Sequence, residues 1–582
     1  LSYNIFMKNL VIIIFLFMLS ASVPVNAFSP NIPPATLQVA REAKIKEAVH
    51  APKSQVVRVG IGSSGFGTYV YNNIGIYGTD EIMICDGDNL VETLPANTNL
   101  IIKFKDGMFE LSQDDGTIIT SMQGPVRIIC PKGLLGVKGL KRAGKTALYH
   151  GAFEIVKANA NYFNLVNMIE VEDYLKGVVP NEMPVSFGLE ALKAQTVAAR
   201  NYVLSPRVKS SPNYDVVDSV ASQVYFGANT ERELSNQAVA ETEGIVALYG
   251  WDLILAQYSS TAGGYTESYS NAFSDPNTKD FPSQEKPYLK AKPDILSQTP
   301  LNTEEAAAAY YKSKPDAYDI RSSYFRWTRE WQPDELKKVL EQTLIAQSAT
   351  GFVKPAFNKG DKLDDLTELR VLRRGDSGKI IEMEVVTAGQ KYKIFKELVV
   401  RRLLTKDGKA LPSANVVFEN IKDENGKLIS IKAYGGGFGH GVGMSQYGAG
   451  FMGSELHIPY EKILKHYYTG ITLGTKPVII SADSSQNVVL QNFYTDKKFA
   501  NIVVDNKFQV SKLVASINGK EHTFELPTSI WGGSRVTNID ISNFIKKGKN
   551  TIVFYYPMEE GDKKALRLFV ELVKKDDSSD IW

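Results

Sequence analysis

One carboxylate in this sequence stands in surroundings suited to proton transfer. Glu182 lies between Pro180 and Pro184 in Val171-Glu-Asp-Tyr-Leu-Lys-Gly-Val-Val-Pro-Asn-Glu-Met-Pro184, and the two prolines restrict the backbone on either side of it. Its neighbours Val178, Val179, Met183, Val185 and Phe187 are apolar. Such surroundings disfavour the charged form, raise the pKa and make a proton donor near neutral pH. Spacing alone leaves a structural alternative open. Glu182 precedes the helical stretch that begins at Leu189, and a helix start favours a carboxylate for reasons unconnected with catalysis. Glu172, Asp173 and Glu190 are expected in first helical turns and share that explanation. Glu267 is the strongest candidate for a second functional carboxylate.

A second constellation is Gly435-Gly-Gly-Phe-Gly-His-Gly-Val-Gly-Met-Ser-Gln-Tyr-Gly-Ala449. Its glycines, Gly439 and Gly441 among them, let a backbone approach a ligand or another strand closely. His440, Ser445, Gln446 and Tyr447 offer donors, acceptors and an aromatic face, a set suited to a sugar bearing hydroxyl and acetamido groups. The alternative is that the glycines serve tight packing and His440 is a buried structural residue. A phosphate loop is excluded because no Gly-Lys-Ser/Thr follows. A nucleophile elbow is excluded because Ser445 does not sit in Gly-x-Ser-x-Gly.

The elements that must position these groups can be read from periodicity. Leu189, Leu192, Thr196, Ala199 and Val203 share one face of a helix over 190–204, which also carries Gln195 and Arg200 as candidates to face a cleft. Tyr265, in Gln257-Tyr-Ser-Ser-Thr-Ala-Gly-Gly-Tyr-Thr-Glu267, is a candidate to stack on a sugar ring. Residues 54–150 show short alternating apolar runs broken by glycine, the pattern of an all-β domain. Within them Gly60-Ile-Gly-Ser-Ser-Gly65 matches a dinucleotide fingerprint in form only, since a strand over 66–71 is expected where that motif needs a helix. After residue 475 strands return, as in Ala500-Asn-Ile-Val-Val504 and Leu513-Val-Ala-Ser-Ile517, and a small β-sandwich is expected.

Composition narrows the setting. With 66 basic and 64 acidic residues the net charge is +2, which gives no electrostatic argument for nucleic acid. Met7-Lys-Asn9, an apolar run over 10–19 and Val25-Asn-Ala27 have the layout of an export signal. That run is too short for a membrane span, which needs about 20 residues. Residues 1–6 precede the start methionine of that signal. Cys85 and Cys130 are the two cysteines, and one disulfide in an exported protein is as compatible with this as two buried thiols.

The stretch around Glu182 and the glycine-rich motif together resemble the stage II sporulation protein D and amidase-enhancer family. Gln257–Glu267 resembles that family's central Ser/Thr-Gly-Gly segment, and Tyr460-Glu-Lys-Ile-Leu-Lys-His-Tyr-Tyr-Thr-Gly470 its closing helix. The patterns and the resemblance together give a multi-domain chain: export signal 1–27, helical linker 28–53, N-terminal β-rich domain 54–150, α+β central domain 151–475, which is the part the resemblance covers, and C-terminal β-sandwich 476–582. Sugar binding is the candidate role of the last. For the central domain the resemblance implies lytic transglycosylase chemistry on peptidoglycan glycan strands stripped of stem peptides. Glu182 would serve as acid and then base, and His440, Ser445, Gln446, Tyr447, Gly439, Gly441, Gln195, Arg200 and Tyr265 would contact substrate. The residues alone do not choose between this reaction and a two-carboxylate hydrolysis. The family's other branch implies a non-catalytic activator of a cell-wall amidase, and a carbohydrate-binding scaffold is a third reading.

Some members of the family carry zinc on His and Cys near the Gly-Gly segment. Here Ser259, Ser260, Thr261 and Ala262 occupy it, and His440, His457 and His466 lack metal-ligand spacing. No metal, cofactor or nucleic acid is therefore expected. The expected location is exported: cell wall, periplasm or extracellular space, without a membrane span in the mature protein.

Overall fold

A computed structural model of the chain describes residues 55–573 apart from 88, 206–209, 295–298, 482–486, 497–498, 508–509, 528–535 and 557–564. The export signal and linker expected within 1–53 lie outside the described residues. The fold is mixed α and β with many sheets.

The alternating runs of the N-terminal region build two sheets. Leu100–Lys105 is representative: Leu100, Ile102 and Phe104 are buried and the intervening side chains are less so, the period-two pattern of a strand with one covered face. A six-stranded sheet runs in the order Lys145–Tyr149, Leu135–Arg142, Asn73–Gly78, Leu100–Lys105, Met108–Gln113, Ile118–Met122. The seven-stranded sheet runs Val216–Val217, Val56–Gly60, Phe163–Glu170, Ala152–Lys157, Val126–Ile129, Ile82–Asp86, Asn89–Leu94. Residues 152–170 thus pair with strands from before residue 150, and Val216–Val217 joins the edge in parallel. The strand expected over 66–71 is absent. A short 3-10 turn at Ser64–Phe66 occupies its start, with Gly65 at φ 78°, and only Tyr71 makes a bridge, to Phe163. Cys85 and Cys130 are both buried, and the Cys130 thiol donates to the Asp80 carbonyl at 3.6 Å.

Strand Phe163–Glu170 leads straight into helix α1 (Val171–Glu182). Glu172 and Asp173 occupy its first turn, where negative charge is favoured. Met183 ends it in an extended conformation (φ −134°, ψ 130°), as a residue before proline must. Helix α2 (Leu189–Leu204) follows. It is buried almost all round, because α1, α3 (Glu233–Ala240) and the later helices pack against it.

Residues 327–433 build a hydrophobic core of their own, including Trp331, Leu336, Leu340, Leu366, Met383, Val400 and Ile431. Helix α4 (Glu304–Tyr311) precedes this unit. The unit contains a three-stranded sheet, a four-stranded sheet, α5 (Pro333–Ser348) and α6 (Glu397–Leu403). The chain then returns through Leu428–Gly435 to the glycine-rich motif, α7 (Gln446–Ser454) and α8 (Tyr460–Tyr467).

The C-terminal strands form two further sheets. Val488–Thr495, Gly548–Tyr555, Lys512–Ile517 and Lys520–Glu525 make one. In the other, Ala565–Leu572 bonds Ala500–Asp505 and also Thr472–Thr475, which pairs with Ile245–Tyr249. One sheet therefore runs from the central region into the C-terminal one. No helix among the described residues is long and apolar enough to cross a membrane.

Candidate functional site

Glu182 is the last residue of α1, not a residue ahead of a helix start as its position before Leu189 suggested. The helix continues through Pro180 and stops only because Pro184 forces Met183 out of helical conformation. The carboxylate consequently sits at the negative end of a helix dipole, which opposes its ionisation. Glu182 is half-buried. Burial pushes its carboxyl up to about 7, against the opposing pull of the Val224 N–H. No cation among the described residues offsets the burial.

Two contacts fix its orientation. Val224 N–H donates to Glu182 Oε1 at 2.7 Å, and Gln446 Nε2 donates to the Glu182 carbonyl at 2.9 Å. Oε2 has no bond among the described residues. Around the carboxyl stand Tyr174, Tyr202 and Tyr258. Burial first, with the Glu182 charge contributing, pushes the three phenols up. Gln223 links two of them, accepting from Tyr174 OH at 3.1 Å and donating to Tyr258 OH at 3.0 Å. The result is a carboxyl with one oxygen held, one oxygen open and hydroxyl groups for company.

The glycine-rich motif reaches this site through its C-terminal half. Gln446 opens α7 and also donates to Gln195 Oε1 at 3.2 Å, so α1, α2 and α7 meet at Glu182. Tyr447, half-buried, packs edge-on against Phe187 with ring centroids 4.9 Å apart. Ser445 caps α7 and bonds Asp319 at 3.4 Å, with 1% of its surface exposed.

Other sequence candidates are placed elsewhere. Arg200 is 1% exposed and grips Glu172 through Nε at 2.9 Å and Nη2 at 2.6 Å, while Nη1 donates to the Ile245 carbonyl; it ties α2 to α1 and does not face the carboxyl. Gln195 is buried and acts through Gln446. Tyr265 packs in a small core with Leu301, Tyr310 and Tyr311. His440 accepts from Val442 N–H through Nδ1 at 3.1 Å. Burial first, then Lys379 and Arg401, hold it neutral, down to about 3. Gly439 and Gly441 have φ of 107° and 69°. A Cβ at Gly439 would meet Ser259, and one at Gly443 the Gln257 carbonyl, so these glycines lie against protein. Glu267 is committed on both oxygens, to Ser268 N–H and Asn271 on one and to Ser377 on the other.

Sequence reading missed Tyr174, Tyr202, Tyr258, Gln223 and the Val224 amide. No spacing signals them, because they come from four separate segments of the chain. It also missed Asp319, whose Oδ2 bonds Thr261 Oγ1, Gly263 N–H at 2.8 Å and Ser445. Asp319 fastens the Gly-Gly segment; burial and then Asp294 push it up to about 6. No cluster of three or more His, Cys, Asp or Glu able to hold a metal occurs among the described residues.

Residues 159–249, which contain Glu182 and α2, match the family described as stage II sporulation protein. Residues 276–443 match a domain of unknown function (DUF8618). The stage II sporulation protein D of Bacillus subtilis (strain 168) is 30% identical over 325 residues, 53% of this chain and 76% of that protein. The amidase enhancer of the same organism is 31% identical over 322 residues, 51% of this chain but only 40% of the enhancer's length. An uncharacterized protein of Brachyspira hyodysenteriae (strain ATCC 49526 / WA1) is 28% identical over 327 residues, 56% of this chain and 72% of the relative.

Proposed function

Because the chain belongs to the stage II sporulation protein D family, we propose that it is an exported cell-wall enzyme, a lytic transglycosylase acting on peptidoglycan glycan strands without stem peptides. The observation that carries the reading is Glu182: half-buried, raised to about 7 by burial, one oxygen fixed by Val224 and the other open. At neutral pH such a group exists in both protonation states, which suits a residue that must donate and then accept.

The steps balance with one carboxyl. Protonated Glu182 gives its proton to the glycosidic oxygen, the C1–O bond breaks, and positive charge develops on the muramic acid ring. The carboxylate then takes the proton of the same sugar's 6-hydroxyl as that oxygen attacks C1. A 1,6-anhydro ring forms and Glu182 is protonated again, with no water consumed. Hydrolysis needs a second carboxylate. Glu172, Glu190 and Glu267 are each committed to protein partners, which favours the one-carboxyl route. Tyr258 and Tyr202 are the hydroxyls best placed to orient the sugar beside Glu182, with Tyr447 and Phe187 as the aromatic wall. We assign Gln446 and Gln195 to orientation of Glu182, and Ser445, His440, Gly439, Gly441, Arg200 and Tyr265 to the framework behind it.

The test uses stripped glycan strands and borohydride. Chain ends made by anhydro-ring closure resist reduction, whereas ends made by water are reduced; reducible new ends would overturn the transglycosylase reading.

A second reading, activation of a cell-wall amidase, is favoured by the likeness to the protein named amidase enhancer. Here the site would bind glycan or the amidase without cleaving. Stimulation of an amidase that persists in Glu182→Gln, without glycan cleavage by the wild type, would select it. The C-terminal strands, read as a sugar-binding sandwich, fit either role by holding the protein on its polymer.

A further inference from the structure

The turn that carries Val224 is tied to α1, α2 and Tyr258 through Gln223, and its N-terminal arm is fastened to the N-terminal sheets. Asp215 N–H donates to the Arg58 carbonyl at 2.8 Å, and Arg58 N–H to Asp215 Oδ2 at 3.1 Å. Val216 and Val217 then pair in parallel with Val59 and Gly60. Asp218 follows, fully buried. Its Oδ2 accepts from Arg142 Nε at 3.2 Å and Nη2 at 2.6 Å, and its Oδ1 from Gly62 N–H at 3.1 Å. Arg142, 2% exposed, also donates to the Gly62 carbonyl at 2.6 Å. Tyr69 OH donates to Ser219 Oγ at 2.9 Å. Tyr225 N–H returns to the Asp218 carbonyl at 3.2 Å and closes the turn. Val224, the residue before Tyr225, then meets Glu182.

We propose that the Arg142–Asp218 pair is a positioning device by which the N-terminal β region sets the Val224 N–H against Glu182 and so tunes the carboxyl that the proposed reaction uses. The inference rests on that functional reading for its consequence, not for its geometry. A buried ion pair is weak evidence for stability as such, since apolar side chains of similar volume often serve as well. Its value here lies in direction: the planar fork of Arg142 fixes Asp218 at two points, and Asp218 anchors the turn. Loss of either partner leaves the other's charge buried without a mate, the turn loosens, and Glu182 loses the one bond that favours its ionised form. Its titration must then move upward.

The groups facing Glu182 are Tyr174 from α1, Tyr202 from α2 and Tyr258 from the strand Tyr258–Ser259. Those facing Asp218 are Arg142, Tyr69, Tyr71, Tyr149 and Tyr174. Neither Arg142 nor Asp218 acts on the Glu182 charge directly, so a change in Glu182 produced by substituting them travels through the turn.

The experiment compares the full chain with Asp218→Asn, Arg142→Met and Arg142→Lys. The control, Arg374→Met, removes a buried guanidinium that pairs with the solvent-exposed Glu304 in another part of the molecule. Carbon NMR of glutamate-labelled protein follows the Glu182 carboxyl, identified by the signal that Glu182→Gln lacks. Amide exchange follows Val224. The expected result is a Glu182 midpoint raised by about one unit in Asp218→Asn and Arg142→Met, with faster exchange at Val224. On glycan, kcat on the low-pH plateau, where Glu182 is protonated in every variant, falls through lost orientation while KM holds, and the falling limb of the pH profile moves up by the same amount. The control melts earlier but keeps the wild-type midpoint. Asp218→Asn keeps the shape of the side chain and Arg142→Lys keeps the charge, so each can decide the matter if Arg142→Met does not fold. An unchanged midpoint and unchanged Val224 exchange in a folded variant would overturn the proposal. Wild-type protein that leaves glycan intact would instead overturn the functional reading, and the titration and exchange results would still stand.

Discussion

Among single residues, Glu182 and its ionisation decide the proposed chemistry. A carboxyl raised to about 7 by burial binds its proton more tightly in the folded than in the unfolded chain, where its value is near the ordinary 4.5 of a free glutamate. Between those values the folded state holds more protons, so this group's contribution to stability falls as pH rises through the window. Glu182→Gln, which removes the charge and keeps the shape, is therefore expected to raise the melting temperature at pH 8 and leave it unchanged near pH 4. The gain corresponds to about 1–3 kcal/mol. Calorimetry of the two proteins at both pH values checks the sign; a variant less stable than wild type at pH 8 would show that the carboxylate is held by interactions stronger than its burial. Activity should run the same way. The first step needs the protonated form, so cleavage is expected to decline as pH rises through about 7, following one titrating group.

At the scale of elements, the site is the meeting of α1, α2 and α7, brought together by the glycine-rich segment behind them. Gly443 has φ 73°, and a Cβ there would collide with the Gln257 carbonyl. This contact supports the short parallel pairing of Tyr258–Ser259 with Met444–Ser445. Gly443→Ala is expected to destabilise the protein by more than about 2 kcal/mol, through backbone strain and the displaced strand. Loss of the α7 cap in Ser445→Ala is expected to cost about 1–2 kcal/mol. Urea unfolding of both variants measures these costs.

The same elements show what the sequence could and could not reveal. The helical run of α2 was legible from the spacing of Leu189, Leu192, Thr196, Ala199 and Val203, but that spacing shows one apolar face and hid the burial of the others. The burial that raises Glu182 was legible because its apolar neighbours are adjacent in sequence. The end of α1 was not: Pro180 reads as a helix breaker, yet it fits in the last turn, and Pro184 does the breaking. The purpose of the glycines was also hidden. A glycine that admits a ligand and one that admits a carbonyl look alike in one dimension, and only the positions of Ser259 and Gln257 separate them. Arg200 illustrates a third limit, since a cation on a helix near a cleft reads as a substrate contact until its carboxylate partner, Glu172, is seen.

At the scale of the whole molecule, the regions flanking the central one are bonded into it. Ala565–Leu572 closes against Thr472–Thr475, and Val246 and Leu248 pack with Val503 and Phe569. Lys549 pairs with Glu243 across the same junction, at 2.5 Å. A chain truncated after residue 475 is expected to expose this apolar patch and to aggregate or lose its cooperative unfolding. Scattering and thermal melts of the truncated protein test that, and a soluble, cooperatively folded product would show the C-terminal strands to be dispensable to the core.

The most direct test of the central claim is mass spectrometry of products from stripped glycan strands treated with wild-type protein and with Glu182→Gln. New ends in 1,6-anhydro-muramic acid, one water lighter than hydrolysed ends, are expected from the wild type and none from the variant. Intact glycan with the wild type, or equal anhydro products from both proteins, would contradict it.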